Sequence, residues 1–248
     1  MSTQPIYQAI LRVVQRRLPV QEGLQVLDVG AGRGELLQHL ANLYPITASA
    51  CDFHIERFAL ADVPIQKVDL NQERLPYPDG SFHLVTCSEV IEHLENFRAL
   101  MRDVHRVLQP GGLFVLTTPN ILNVKSRLRF FASGFYNLFG PLPVRNDRLY
   151  STGGHISPIT YFHIGHAMLD VGFTDIQPEI DRLQTYSLVG LVVTFPFIAL
   201  GWLSFLHQER RLYKTLTDAN QPLVRHHNGL ALLAGRTVVV SGCKAPAV

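Results

Sequence analysis

Residues 26–37 read VLDVGAGRGELL. The apolar, β-branched run Gln25-Val26-Leu27-Asp28-Val29 ends in glycines at positions 30, 32 and 34, and Glu35-Leu36-Leu37-Gln38-His39-Leu40 follows with helical spacing. The pattern is strand, tight turn, helix. Glycines at the carboxyl end of a strand permit positive φ and let a ligand approach the backbone, while the helix behind them offers unpaired N–H groups. A nucleotide-like ligand is expected there. The spacing is G-x-G-x-G, whereas the dinucleotide fingerprint needs G-x-G-x-x-G, and Glu35 occupies its last position, which counts against a dehydrogenase.

Outward from this loop the chain alternates. Further strands are predicted at residues 46–51, 65–68, 82–87 and 113–117, and the helix at 97–108 is expected to stop at Pro110-Gly111-Gly112. Strands alternating with helices predict an α/β fold with a parallel sheet covered on both faces. Residues 173–180 and 236–241 are two later strand candidates. Two segments interrupt the alternation. Residues 120–155 are rich in bases and aromatics (KSRLRFFASGFYNLFG, with Pro141 and Pro143), and residues 186–235 open on a long apolar run. Insertions of this size commonly carry specificity or act as lids.

Acids close two of the strands. Asp52 ends the second (TASACDF) about where a carboxylate can accept both hydroxyls of a ribose, and Asp69 ends the third (QKVDL), where it can accept from an exocyclic amine beside the apolar face of Leu70. Acids at strand ends suit a neutral or cationic nucleoside better than a pyrophosphate, and a sulfonium is such a ligand. Each can also be an ordinary turn acid.

The series VLDVGAGRGELL, CDF, VDL, FHLVTCSEVIEHL and VLQPGGLFVLTTPN, in that order over roughly residues 24–120, resembles the class I S-adenosylmethionine-dependent methyltransferases. EVIEHL and GHISPIT…GF are similar to the branch with ubiquinone-biosynthesis O-methyltransferases and glycan- or lipid-pathway methyltransferases. The resemblance implies a Rossmann-like, doubly wound sheet of seven strands with the last one antiparallel, carried by one domain over residues 1–248. It also implies S-adenosylmethionine as cofactor. Asp28, Gly30, Gly32 and Gly34 would cradle its methionine part, Asp52 and Phe53 its ribose, and Asp69 and Leu70 its adenine, with Ser88 and Glu89 edging the pocket.

SEVIEHL, residues 88–94, places Glu89, Glu92 and His93 at i, i+3 and i+4, a spacing that puts all three on one face of a helix. Two carboxylates and an imidazole can hold a divalent ion, and the resemblance permits one, because ubiquinone-pathway enzymes carry a similar run. Acids in a first turn also simply favour the helix dipole. Methyl transfer needs alignment and exclusion of water, and a hydroxyl acceptor needs a base. His93 and His155, both at the open end of the sheet, are the candidates.

Net charge is +2, too small to call for nucleic acid as partner. Cys51, Cys87 and Cys243 are isolated and odd in number, which suits a reducing, cytoplasmic compartment. Residues 187–206, SLVGLVVTFPFIALGWLSFL, carry no charge over a bilayer-spanning length. A single crossing would strand the last β-strand on the far side, so two short helices broken at Pro196 are expected to cover the acceptor or lie peripherally on the inner membrane face. The expected reaction is O-methylation of a small or lipid-linked acceptor of isoprenoid, quinone or glycan type. A noncatalytic cofactor-binding or regulatory protein on the same fold is the alternative.

Overall fold

A computed structural model describes residues 2–19, 22–142 and 154–246. Helix α1 (Gln4–Arg17) has a proline in its first turn and buries Ile6, Ala9, Ile10, Val13 and Val14. Then come β1 (Leu24–Val29), α2 (Glu35–Ala41), β2 (Ile46–Asp52), β3 (Ile65–Lys67) and β4 (Phe82–Ser88). Helix α3 (Phe97–Val107) starts where the Asn96 side chain accepts from the Ala99 amide, and runs directly into β5 (Leu108–Pro119). After these follow α4 (Val124–Ser133), α5 (Tyr161–Asp170), β6 (Phe173–Ile180), α6 (Thr185–Arg211), α7 (Gln221–His226), α8 (Leu230–Ala234) and β7 (Thr237–Lys244).

The seven strands pair in the order β3-β2-β1-β4-β5-β7-β6. All neighbours are parallel except β7, which runs antiparallel between β5 and β6. Strand β1 lies between β2 and β4 and is buried on both faces: Leu24 and Val26 pack with α1 and α2, Leu27 and Val29 with α3 and α5. This is the doubly wound sheet with an antiparallel last strand that the resemblance implied.

Boundaries differ from expectation at β5. The strand begins at Leu108 rather than 113, because Leu108 pairs with Phe82 before Leu113 pairs with Leu84, and the irregularity between them absorbs Pro110-Gly111-Gly112. Gly111 makes the bulge at φ +79. The triplet is therefore a kink inside β5, while α3 does stop ahead of it, at Val107. Strand β7 likewise continues past 241 to Lys244, where it still pairs with Phe173.

The apolar run is one helix, contrary to the expected break. α6 is continuous over 27 residues with Pro196 inside it. Proline there costs the Val192 carbonyl its partner. One missing bond does not stop so long a helix, and Thr194 Oγ1 adds a back-bond to the Gly190 carbonyl at 2.9 Å. Gly190 lets α6 sit close on α4: a Cβ there would come within 2.9 Å of Val124 Cγ1. Buried Ser187 reinforces the seam, accepting from the Lys125 amide. At its two ends the excursion is pinched shut, by a Leu183–Gly235 bridge and by the Gln184 amide donating to the Ala234 carbonyl at 2.8 Å. Of the 120–155 insertion, residues 143–153, Pro143 among them, lie outside the described residues.

Candidate active site

At the carboxyl ends of β1, β2, β3 and β4 a cavity of about 240 Å³ is lined by Gly30, Asp52, Phe53, Asp69, Leu70, Glu89, Val90 and His93, among others. Six of these residues were expected to touch the cofactor. Asp28, Gly32, Gly34 and Ser88 stand behind the lining and shape it.

The glycine loop is held open by backbone geometry. Gly30, Gly32 and Gly34 have φ of +73°, +56° and +86°, the left-handed region that side chains disfavour. At Gly30 a Cβ would also lie 2.3 Å from Val90 Cγ2, while at Gly32 it would meet nothing within 4 Å, so the space above Gly32 is free for a ligand. The loop is tied to β2. The amides of Gly30 and Gly32 donate to the Cys51 carbonyl and to Asp52 Oδ2, both at 2.8 Å. Asp52 Oδ1 accepts from the His54 amide at 2.7 Å, and each carboxylate oxygen keeps a lone pair for a ribose hydroxyl. Asp69 is a turn acid that also lies at the cavity: its Oδ1 caps the Asn71 amide.

Asp28 is 3% exposed, with Thr86 Oγ1 donating to it at 2.7 Å. Burial, against the Thr86 bond and with Asp52 adding to it, holds its carboxyl up to about 7. A ligand ammonium beside it would favour the ionised form. Ser88 is occupied elsewhere, its hydroxyl 2.8 Å from that of Ser2 and 3.2 Å from that of Thr117.

SEVIEHL does not form an α-helix. Glu89 sits at φ +56, and residues 91–93 make a single 3-10 turn, so Glu89, Glu92 and His93 do not share a face. The left-handed residue turns the chain sharply out of β4 while the Glu89 amide and side chain bond to Thr117. Glu92 instead points inward and is fully buried, one oxygen accepting from Thr118 Oγ1 at 3.0 Å. Burial pushes both carboxyls above the ordinary range, Glu92 well above it, with Glu89 adding to the shift of Glu92.

The segment after the first insertion closes on this turn. The amides of Ile156 and Ser157 donate to the Glu92 carbonyl at 2.9 and 3.0 Å, and Ser157 Oγ donates to the Leu94 carbonyl. This stitching brings His155 to His93, with ring centroids 4.9 Å apart and nearly perpendicular. His93 Nδ1 lies 2.8 Å from the Gly154 carbonyl. A carbonyl can only accept, so Nδ1 carries the proton and Nε2 presents a lone pair. Burial lowers the pKa of both imidazoles, so both are neutral at pH 7.

Glu92 Oε1 and His155 Nδ1 are buried and lack a partner among the described residues. One ligand atom from each of Glu92, His93 and His155 falls within 4.8 Å of the others. His155 thus takes the place given to Glu89 in the expected metal set. An oxygen and two imidazole nitrogens suit a divalent ion, which these three residues would hold and which would polarise a hydroxyl in place of a free His93 base.

Sequence reasoning missed His54, Arg57, Asn71, Val90 and Leu94, all of which line the cavity. Each lies within six residues of a strand's carboxyl end, and that position was the available signal.

A glycine loop, a ribose-type acid and a strand order with β7 reversed define the fold of the S-adenosylmethionine-dependent methyltransferases. The solved structure of such an enzyme from Archaeoglobus fulgidus superimposes with a TM-score of 0.58 at 16% identity, over 96% of this chain and 94% of that one. One from Mesorhizobium loti gives 0.55 at 17% identity, over 95% and 98%. A methyltransferase-domain family model matches residues 4–177, and the chain belongs to that family. Its cofactor is S-adenosylmethionine, which the loop and strand-end acids fit. Curated relatives include a demethylmenaquinone methyltransferase of Chlorobaculum parvum, 29% identical over 39% of this chain and 42% of that protein. The mitochondrial arginine-hydroxylase NDUFAF5 of Rattus norvegicus is 27% identical over 64% and 44%. The chain spans less than half the length of either.

Two outcomes follow from the buried acids. Asp28 has a folded pKa of about 7 against an ordinary 3.8, so the native state keeps an extra proton between those values and loses stability as pH rises through that window. Asp28→Asn should abolish this decline in urea midpoints, and saturating cofactor should shrink it in the wild type. Glu92→Gln replaces a neutral acid by a neutral amide and should leave the midpoint near wild type. Glu92→Leu strands the Thr118 hydroxyl and should cost about 1–3 kcal/mol.

Proposed function

We propose that the domain transfers a methyl group from S-adenosylmethionine to a hydroxyl on a lipid-linked acceptor of isoprenoid, quinone or glycan type. One observation carries the reading: His93 lines the cavity, and its Nδ1–H is held by the Gly154 carbonyl, which leaves Nε2 unprotonated beside the His155 ring. When bound, the cofactor supplies a methyl carbon on a sulfonium, and the C–S electron pair leaves with neutral sulfur. Asp52 and Asp69 fix its nucleoside, and the glycine loop its amino-acid end. His93 Nε2 accepts the acceptor's hydroxyl proton as the oxygen bonds to the methyl carbon, with His155 beside it as orienting partner. Phe139, whose ring centre lies 5.2 Å from that of His155, walls the cleft from water.

The apolar lip supports a lipid-linked acceptor. Leu138 and Leu142 stand exposed on either side of Phe139. The demethylmenaquinone methyltransferase among the relatives is consistent with an acceptor of this class.

The test is incubation of lipid and glycan extracts with methyl-labelled cofactor, followed by identification of the labelled product. A labelled apolar product that disappears with His93→Ala is expected; label confined to water-soluble products would refute the acceptor class. Turnover should fall about 10²–10⁴-fold in His93→Ala while calorimetric cofactor binding persists. Because burial lowers the His93 pKa, the base form persists to lower pH than in an ordinary imidazole. The acid limb of the wild-type rate profile should therefore lie below 6.5, the ordinary histidine value, with activity falling as pH drops through it.

A further inference from the structure

The outer surface of α6 is unlike that of a helix in water. An 18-residue window of it has mean hydropathy 2.1, and none of that window is buried. Val192, Val193, Phe197, Leu200 and Leu203 are 64–79% exposed, and together with Val189 and Phe195 they occupy most of the helix circumference. The opposite side, from buried Ser187 through Gly190, Thr194 and Ile198 to Trp202, which stacks on His227, faces the domain. Beside it on α4, Phe131 is 90% exposed and Leu128 and Phe130 nearly half. The patch continues through Leu138 and Leu142 to the lip of the cleft. Leu142 lies so close to Gly154 that a Cβ there would come within 2.4 Å of it, and Gly154 is the residue whose carbonyl fixes His93.

The charges around the patch are mostly basic. Among the described residues, neither 121–142 nor 185–208 contains an acid, while Lys125, Arg127 and Arg129 stand on α4. Arg210, Arg211 and Lys214 follow at the far end of α6, with Glu209 as the single neighbouring acid. Lys125 lies over the Tyr186 ring at 5.7 Å, and Trp202 stacks on Phe205 further along the helix. Basic groups at both ends of an uncharged apolar helix, with aromatics between the two, complement anionic headgroups over hydrocarbon. A second copy of the chain would cover one stripe of α6, not most of its circumference. Crossing is excluded by the tethers: α6 begins and ends on the domain, with its return through α7 packed by Leu223 against Gly165.

We infer that the α4–α6 face docks the domain on an anionic lipid bilayer, with α6 lying flat in the interface, so that the acceptor enters the His93–His155 cleft from the membrane past Phe139. The entry route rests on the acceptor class proposed above; the docking itself does not.

Flotation of the purified protein with vesicles of phosphatidylcholine and phosphatidylglycerol tests it, with phosphatidylcholine alone as comparison. The protein should float with the anionic vesicles and much less with the neutral ones. Val193→Asp and Phe197→Asp should each return it to the soluble fraction, and Lys125→Gln or Arg129→Gln should weaken vesicle binding about fivefold. None of these four residues touches the cofactor cavity, so calorimetric binding of S-adenosylmethionine should be unchanged in every variant, which also reports that each has folded. Recovery only in the soluble fraction overturns the docking, and so does flotation that survives both aspartates. A dimer by light scattering that the same aspartates dissociate would assign the face to a second copy instead. Loss of cofactor binding in the wild type would sink the methyltransferase reading and leave the flotation result standing.

Discussion

The carboxylate of Asp52 accepts one hydrogen bond from the glycine loop after β1 and another from the turn after β2. Two adjacent parallel strands are thereby joined at their carboxyl ends, in register from Leu24–Ile46 to Val29–Cys51. Parallel pairing alone brings the loops to one edge of the sheet; this bond sets their separation, and with it the width of the nucleoside cleft. The acid that would bind a ribose is thus already oriented by the backbone, so little entropy remains to be lost when ligand arrives.

A second constraint is electrostatic. Asp28, Glu89 and Glu92 are acids held at the strand ends with raised pKa values, and burial is the leading cause in each. A fold keeps such groups only where they have partners or a use. For Asp28 a cationic ligand is the natural compensation. Glu92 is compensated in part by Thr118, and its second oxygen faces the two histidines, so the acid anchors the turn as much as it serves chemistry. His93 and His155 are lowered in pKa by the same dry surroundings, so burial disfavours the charged form of acid and bases alike.

The sheet was legible because its signals are local and redundant. Apolar runs between glycines and acids marked each strand within a few residues, and Asp52, Asp69 and Gly30 announced their positions by spacing. What misled were residues whose usual meaning is overruled by context. Pro110-Gly111-Gly112 does follow the end of α3 but is a bulge in β5, since pairing of Leu108 with Phe82 outweighs local propensity. Pro196 looked like a break, yet a helix of this length loses one bond there and continues. SEVIEHL has helical spacing, but a non-glycine residue in a left-handed conformation is set by the tertiary hydrogen bonds to Thr117, which no spacing reveals. The approach of His155 to Glu92 depends on backbone bonds across more than sixty residues and has no sequence signature at all.

The pinched base of the α6–α8 excursion has a consequence for how such a domain can change. Its two ends meet at Leu183 and Gly235, between antiparallel strands that pair whatever lies beyond them. Closing a loop grows costlier only slowly with its length. The excursion is in that sense a cassette. Residues can be added, removed or re-surfaced there without disturbing the β5–β7–β6 register or the distant glycine loop, so the part of the molecule that meets its surroundings is free to diverge while the part that holds the methyl donor stays fixed.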